Sequence, residues 1–91
     1  MEALDINVRL QSIQQEEEMQ KLRSLIAQDR QLIELRKSIS NSASAQVDNG
    51  VITVTDYLTQ VNAQYLAEIA LNTHELQLSY AQINYLTTLG K

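Results

Sequence analysis

The sequence predicts an all-α chain, a long antiparallel two-helix coiled-coil hairpin. Three observations predict it. The 91 residues contain no Pro and only two glycines, Gly50 and Gly90. These residues are the usual punctuation of turns, so the chain cannot turn often. Leu, Ile, Ala, Gln, Glu and Ser are abundant, and most of these favour helix. Apolar residues recur at helical spacing on both sides of a single strong turn signal, Asp48-Asn49-Gly50-Val51-Ile52-Thr53.

The first helix is expected over about residues 4–47. Leu25, Leu32 and Ile39 recur every seven residues, and Met19, Ile26 and Ile33 form a second such series beside them. Leu22 and Leu35 widen the stripe. Glu17 and Lys21 lie four apart in the favourable orientation, worth a few tenths of a kcal/mol at most. The run from Ser38 to Ala45 is weakest by propensity. Its small side chains equally suit a close approach of another helix, and it is read as helical.

The second helix is expected over about residues 54–89. One line runs through Leu58, Val61, Tyr65, Ile69, Leu76, Tyr80 and Ile83; another runs through Tyr57, Leu71, Leu78 and Tyr85. Ala63, Ala67 and Ala70 add a patch of small residues. Apolar positions on more than one face imply neighbours on both sides. Gly90 suits a terminal cap.

The reversal over 48–53 carries the most local detail. Asn49-Gly50 can supply the left-handed backbone that helix ends use. Thr53 and Asp56 fit a capping box, with Asp in place of the usual Glu or Gln. Ile52 before the cap and Tyr57 after it fit a hydrophobic staple. Asp56 also falls in the first turn, where negative charge suits the helix dipole.

Composition narrows function. The net charge of −4 argues against general nucleic-acid binding, which requires a basic surface. There is no Cys, hence no disulfide and no thiolate metal site. Apolar runs are far shorter than the roughly 20 residues a membrane span needs. No signal peptide is legible, since Glu2 and Asp5 stand where a basic and then apolar stretch would begin. The chain is accordingly expected to be one helical hairpin from a larger protein. Charge divides it: residues 1–47 hold seven acids and six bases, whereas residues 48–91 hold four acids and the single base Lys91.

Catalytic chemistry is not expected. His74 is the only histidine, and the second His of a His-Glu-x-x-His zinc motif would fall at Leu78. No Glu-x-x-His pair exists for a di-iron bundle. The acids Glu16, Glu17 and Glu18 point in different directions on a helix and cannot converge on one ion. The four tyrosines lack the basic groove that base stacking would require, and their spacing suits packing, with hydroxyls reaching water or a neighbouring helix. No metal, cofactor or catalytic residue is assigned.

Arms of roughly 65 and 54 Å follow from 1.5 Å per residue. A lone pair of such arms buries one stripe of each helix and leaves the other wet. Marginal stability and self-association into a helical bundle are therefore expected.

The residues Gly50-Val51-Ile52-Thr53-Val54-Thr55-Asp56-Tyr57-Leu58 resemble the Gly-x-x-Thr-x-x-Asp-x-Leu pattern of TolC-type outer-membrane efflux proteins. The likeness continues through Asn62-Ala63, His74-Glu75-Leu76-Gln77-Leu78 and the run from Tyr80 to Gly90, and is nearest to members from Bacteroides-like bacteria. It covers nearly all of the chain, best over 47–91, and about a fifth of a complete family member. The chain departs from the pattern at Ala45-Gln46-Val47-Asp48, where many relatives carry an aromatic residue.

The resemblance implies a trimeric parent in the bacterial outer membrane, with this segment forming part of its periplasmic α-helical barrel. It implies no direct membrane contact by the segment itself. Gly50, Val51, Ile52 and Thr53 match the tip motif. They would contact a periplasmic adaptor protein and, through it, serve an inner-membrane pump. Two other classes compete: the hairpin of a different interaction module, such as an adaptor hairpin or a chaperone-like coiled coil, and a helical-bundle enzyme.

Overall fold

The computed structural model describes the backbone of residues 2–90 and the side chains of residues 5–90. Met1 and Lys91 lie outside the described residues. The protein is an all-α helical hairpin of two elements, α1 (Glu2–Asp48) and α2 (Val54–Thr88). The bounds differ from expectation by one or two residues, as helix ends commonly do. The Ser-rich run belongs to α1 without a break.

Each helix carries a periodic inward row. In α1 the partly or fully shielded residues include Ser12, Gln15, Met19, Leu22, Ile26, Asp29, Ile33 and Arg36, in alternating steps of three and four. In α2 the same alternation runs through Tyr57, Gln60, Gln64, Ala67, Leu71, His74, Leu78, Ala81 and Tyr85. A mean step of 3.5 residues is the spacing of a left-handed coiled coil.

The helices divide into two compact units. In the unit over residues 27–72, Ile33, Ser40 and Ala43 of α1 and Ala67 of α2 are buried. Ser40 donates its hydroxyl to the Gln60 carbonyl at 3.4 Å. So short a side chain reaches a carbonyl of the facing helix only where the backbones come close. The small residues of the Ser-rich run thus serve close approach, the second of the two roles open to them.

In the other unit, residues 1–26 and 73–91, the buried positions are Met19, Leu22 and Ile26. Leu78, Ala81 and Tyr85 of α2 are half-buried there, and the Tyr85 hydroxyl donates to the Glu16 carboxylate. Among the described residues no large side chain is fully buried. Hydroxyl residues within the helices use their own turn: Ser12 donates to the Val8 carbonyl, Thr59 to Thr55 and Thr87 to Ile83, each at 2.9–3.0 Å.

Two stripe assignments are sharpened. In α1 the series Met19, Ile26, Ile33 is the inward one, whereas Leu32 and Leu35 are exposed. In α2 the line Tyr57, Leu71, Leu78, Tyr85 faces inward, and the larger line from Leu58 to Ile83 faces outward. Along α1, Lys37 pairs with Glu34 at 4.0 Å, both groups exposed. The pair contributes little at such a site.

Candidate functional site: the turn between the helices

The turn closes α1 with two hydrogen bonds and one glycine. The Gly50 N–H donates to the Val47 carbonyl at 3.1 Å, and the Val51 N–H reaches back to the Gln46 carbonyl at 2.8 Å. These are the paired bonds of a Schellman motif. Gly50 takes φ 72, the left-handed conformation the motif needs. Among the described residues no other type of residue has positive φ, so Asn49 does not share this role.

The opening of α2 is closed reciprocally. The Asp56 N–H donates to the Thr53 Oγ1 at 3.1 Å, and the Thr53 N–H donates to the Asp56 carboxylate at 3.4 Å. Two otherwise orphaned N–H groups are thereby satisfied. Ile52 and Tyr57 are half-buried, whereas the adjacent Val51 and Val54 are exposed. That difference fits the staple positions.

The four tip residues therefore divide. Gly50 shapes the turn and is exposed. Val51 presents its side chain to solvent at 69 % exposure. Ile52 turns partly inward, lining a shallow hollow with Ile39, Ala43, Gln46, Asp56 and Gln60. Thr53 is exposed but committed to the cap. The apolar surface of the tip is thus mainly Val51, rather than Val51 and Ile52 equally.

The remaining chemistry-bearing residues do not converge on the turn. His74 lies half-buried on the inward row of α2. Glu16 accepts the Tyr85 hydroxyl, and this donated bond, with burial and the Glu16 charge, raises the Tyr85 pKa above its ordinary value. Spacing placed Tyr85 on a packing row, but its partner across the hairpin depended on register and could not be read from either helix alone. Among the described residues no group of three or more His, Cys, Asp or Glu is arranged to hold a metal ion. No helix there is long and apolar enough to cross a membrane.

Compared with known proteins, the chain matches no protein-family model, no curated protein and no solved structure.

Proposed function

We propose that this chain is a structural segment of a TolC-like outer-membrane efflux channel. In this reading it forms part of the periplasmic α-helical barrel, and its turn meets a periplasmic adaptor protein of a tripartite export system. The observation that supports this best is the turn itself. It offers an exposed apolar knob, Val51, with Val54 exposed beside it, on a backbone tied by a Schellman closure on one side and a reciprocal cap on the other. A docking end benefits from such stiffness, because little ordering entropy remains to be lost on binding. These residues coincide with the tip motif of the resemblance.

The arms would build the duct wall, and the second apolar face of α2 would lie against neighbouring helices of the homotrimeric parent. The parent would sit in the bacterial outer membrane and this segment in the periplasm. The segment performs no catalysis in this reading. The alternative, a hairpin of another interaction module, shares the turn but not the duct.

The test uses the full-length parent. Gly50→Pro cannot adopt the left-handed turn, and Val51→Asp places a charge on the knob. Both should abolish adaptor capture and export while trimers still assemble. Normal export by either variant would overturn the contact assignment.

A further inference from the structure

Asn49 is set apart from the other asparagines by its neighbour and its backbone. The chain holds six: Asn7, Asn41, Asn49, Asn62, Asn72 and Asn84. All are exposed, so access to water does not separate them. Five lie inside helices, and each of these is followed by a residue with a side chain: Val8, Ser42, Ala63, Thr73 and Tyr85. Asn49 alone lies in the turn, and it alone precedes a glycine. Open space surrounds the place where a Cβ on Gly50 would stand. The Gly50 nitrogen thus has no adjoining side chain to crowd an atom closing on it.

That pairing permits a reaction within the backbone. On losing its proton, the Gly50 nitrogen can attack the Asn49 side-chain carbonyl carbon, Cγ. The N–Cγ bond forms, the bond from Cγ to the amide nitrogen breaks, and that nitrogen leaves with the proton as ammonia. The product is a cyclic imide. Water then adds to one ring carbonyl. Cleavage of the N–Cγ bond restores the ordinary backbone with aspartate at 49. Cleavage of the original peptide bond leaves the chain running through Cβ and Cγ, as isoaspartate. In balance, asparagine and water give aspartate or isoaspartate and ammonia.

The closed turn holds the reacting atoms apart. The Asn49 N–H donates to the Ala45 carbonyl at 3.1 Å, so residue 49 keeps the hydrogen-bond pattern of α1. A helical side chain leans toward the N-terminus, away from the following nitrogen. That nitrogen is also engaged, since the Gly50 N–H donates to the Val47 carbonyl at 3.1 Å. The bond from Val51 to the Gln46 carbonyl, at 2.8 Å, ties down the same segment. Ring closure needs rotation about the Asn49 Cα–C bond, which breaks both bonds of the closure. Two net hydrogen bonds correspond to roughly a tenfold to hundredfold reduction in the open fraction.

We propose that Asn49 is a site of spontaneous modification, converted to aspartate or isoaspartate by attack of the Gly50 nitrogen, at a rate set by opening of the Schellman closure. Either product adds a negative charge beside Asp48 at the C-terminus of α1. The helix dipole disfavours an anion there, and the last turn of α1 holds no base. Isoaspartate also lengthens the backbone by one carbon between the groups bonded to Ala45 and Val47, so the closure cannot re-form in the same geometry. The change is one-way and loosens the turn that had slowed it. This inference does not rest on what the turn binds.

Mass spectrometry of proteolytic fragments tests it on the 91-residue chain, kept folded in mildly alkaline buffer and, in parallel, unfolded in guanidinium chloride. Asn49 should gain the mass of an OH replacing an NH2 before any other asparagine does. Isoaspartate should separate by chromatography as a second product of equal mass. Conversion should be slower in the folded chain by roughly tenfold to a hundredfold. Val51→Pro removes the Val51 N–H and should narrow that gap while helical circular dichroism persists. Asn49→Gln should abolish the conversion at this site, because its longer side chain would have to close a larger ring. Earlier conversion at another asparagine, equal rates folded and unfolded, or an unchanged gap in Val51→Pro would overturn the proposal. So would a folded chain still intact at Asn49 after about a hundred half-times of the unfolded one. The wild-type comparison decides the matter even if Val51→Pro unfolds.

Discussion

Thr53 and Asp56 cap one another, each backbone N–H donating to the other's side chain at 3.4 and 3.1 Å. This reciprocal pair starts α2 where it starts and fixes the exit from the turn. Thr53→Ala should cost about 1 kcal/mol by removing one of the two bonds. Asp56→Ala should cost a similar amount, including its loss at the helix dipole. Thermal unfolding would read each as a fall of roughly 4–8 °C in Tm per kcal/mol. The double variant should lose less than the sum, because each bond helps to orient the other.

Gly50 is held at φ 72 with open space where a Cβ would stand. Substitution therefore meets no clash, and its penalty is purely conformational. Gly50→Ala should destabilise by roughly 1–2 kcal/mol, with Gly50→Asn costing less because Asn tolerates this region. Denaturant titration should show a lower midpoint with an unchanged slope.

Leu22 and Leu35 separate the inward row of α1 from its outward side. Leu22 is 4 % exposed and Leu35 is 57 % exposed. Leu22→Ala should cost about 2 kcal/mol, the low end for core truncations, because no large side chain among the described residues is fully enclosed. Leu35→Ala should stay within about 0.5 kcal/mol. Equal effects from the two, measured by chemical denaturation, would contradict the seam.

These two leucines also mark where sequence reading stops. Start and stop signals were legible because they are local: the capping box lies within four residues, and the glycine acts on its own backbone. The inward face was harder. Leu22 and Leu35 both widen the same stripe, and α2 offers two apolar lines of nearly equal spacing. Choosing between them depends on the facing helix, which no single helix encodes. The inward row of α2 also accepts Gln60, Gln64 and His74, while the outward line is the more apolar of the two. Hydrophobicity alone thus favours the wrong face. Val51 and Ile52 illustrate the same limit at the turn, where adjacent apolar residues part company through side-chain direction.

Tyr85 donates its hydroxyl to Glu16, and its pKa is raised chiefly by that bond. A raised acid pKa in the folded state means that the neutral form is favoured by folding. The stabilisation is therefore fully present below the ordinary value near 10 and is lost as pH rises through the higher folded value. Alkaline titration of tyrosinate absorbance should show one group ionising late, and Tyr85→Phe should remove that phase. Stability of the wild type should fall toward that of Tyr85→Phe at the most alkaline pH.

The reading of this hairpin as a piece of an export duct meets its most direct test in the coding sequence on either side of it. Determining the full-length parent gene should show a signal peptide upstream and amphipathic β-strands flanking this segment on both sides. A gene that ends near Lys91 with no such strands upstream, or one that flanks the hairpin with lipoyl-like β-domains, would contradict it.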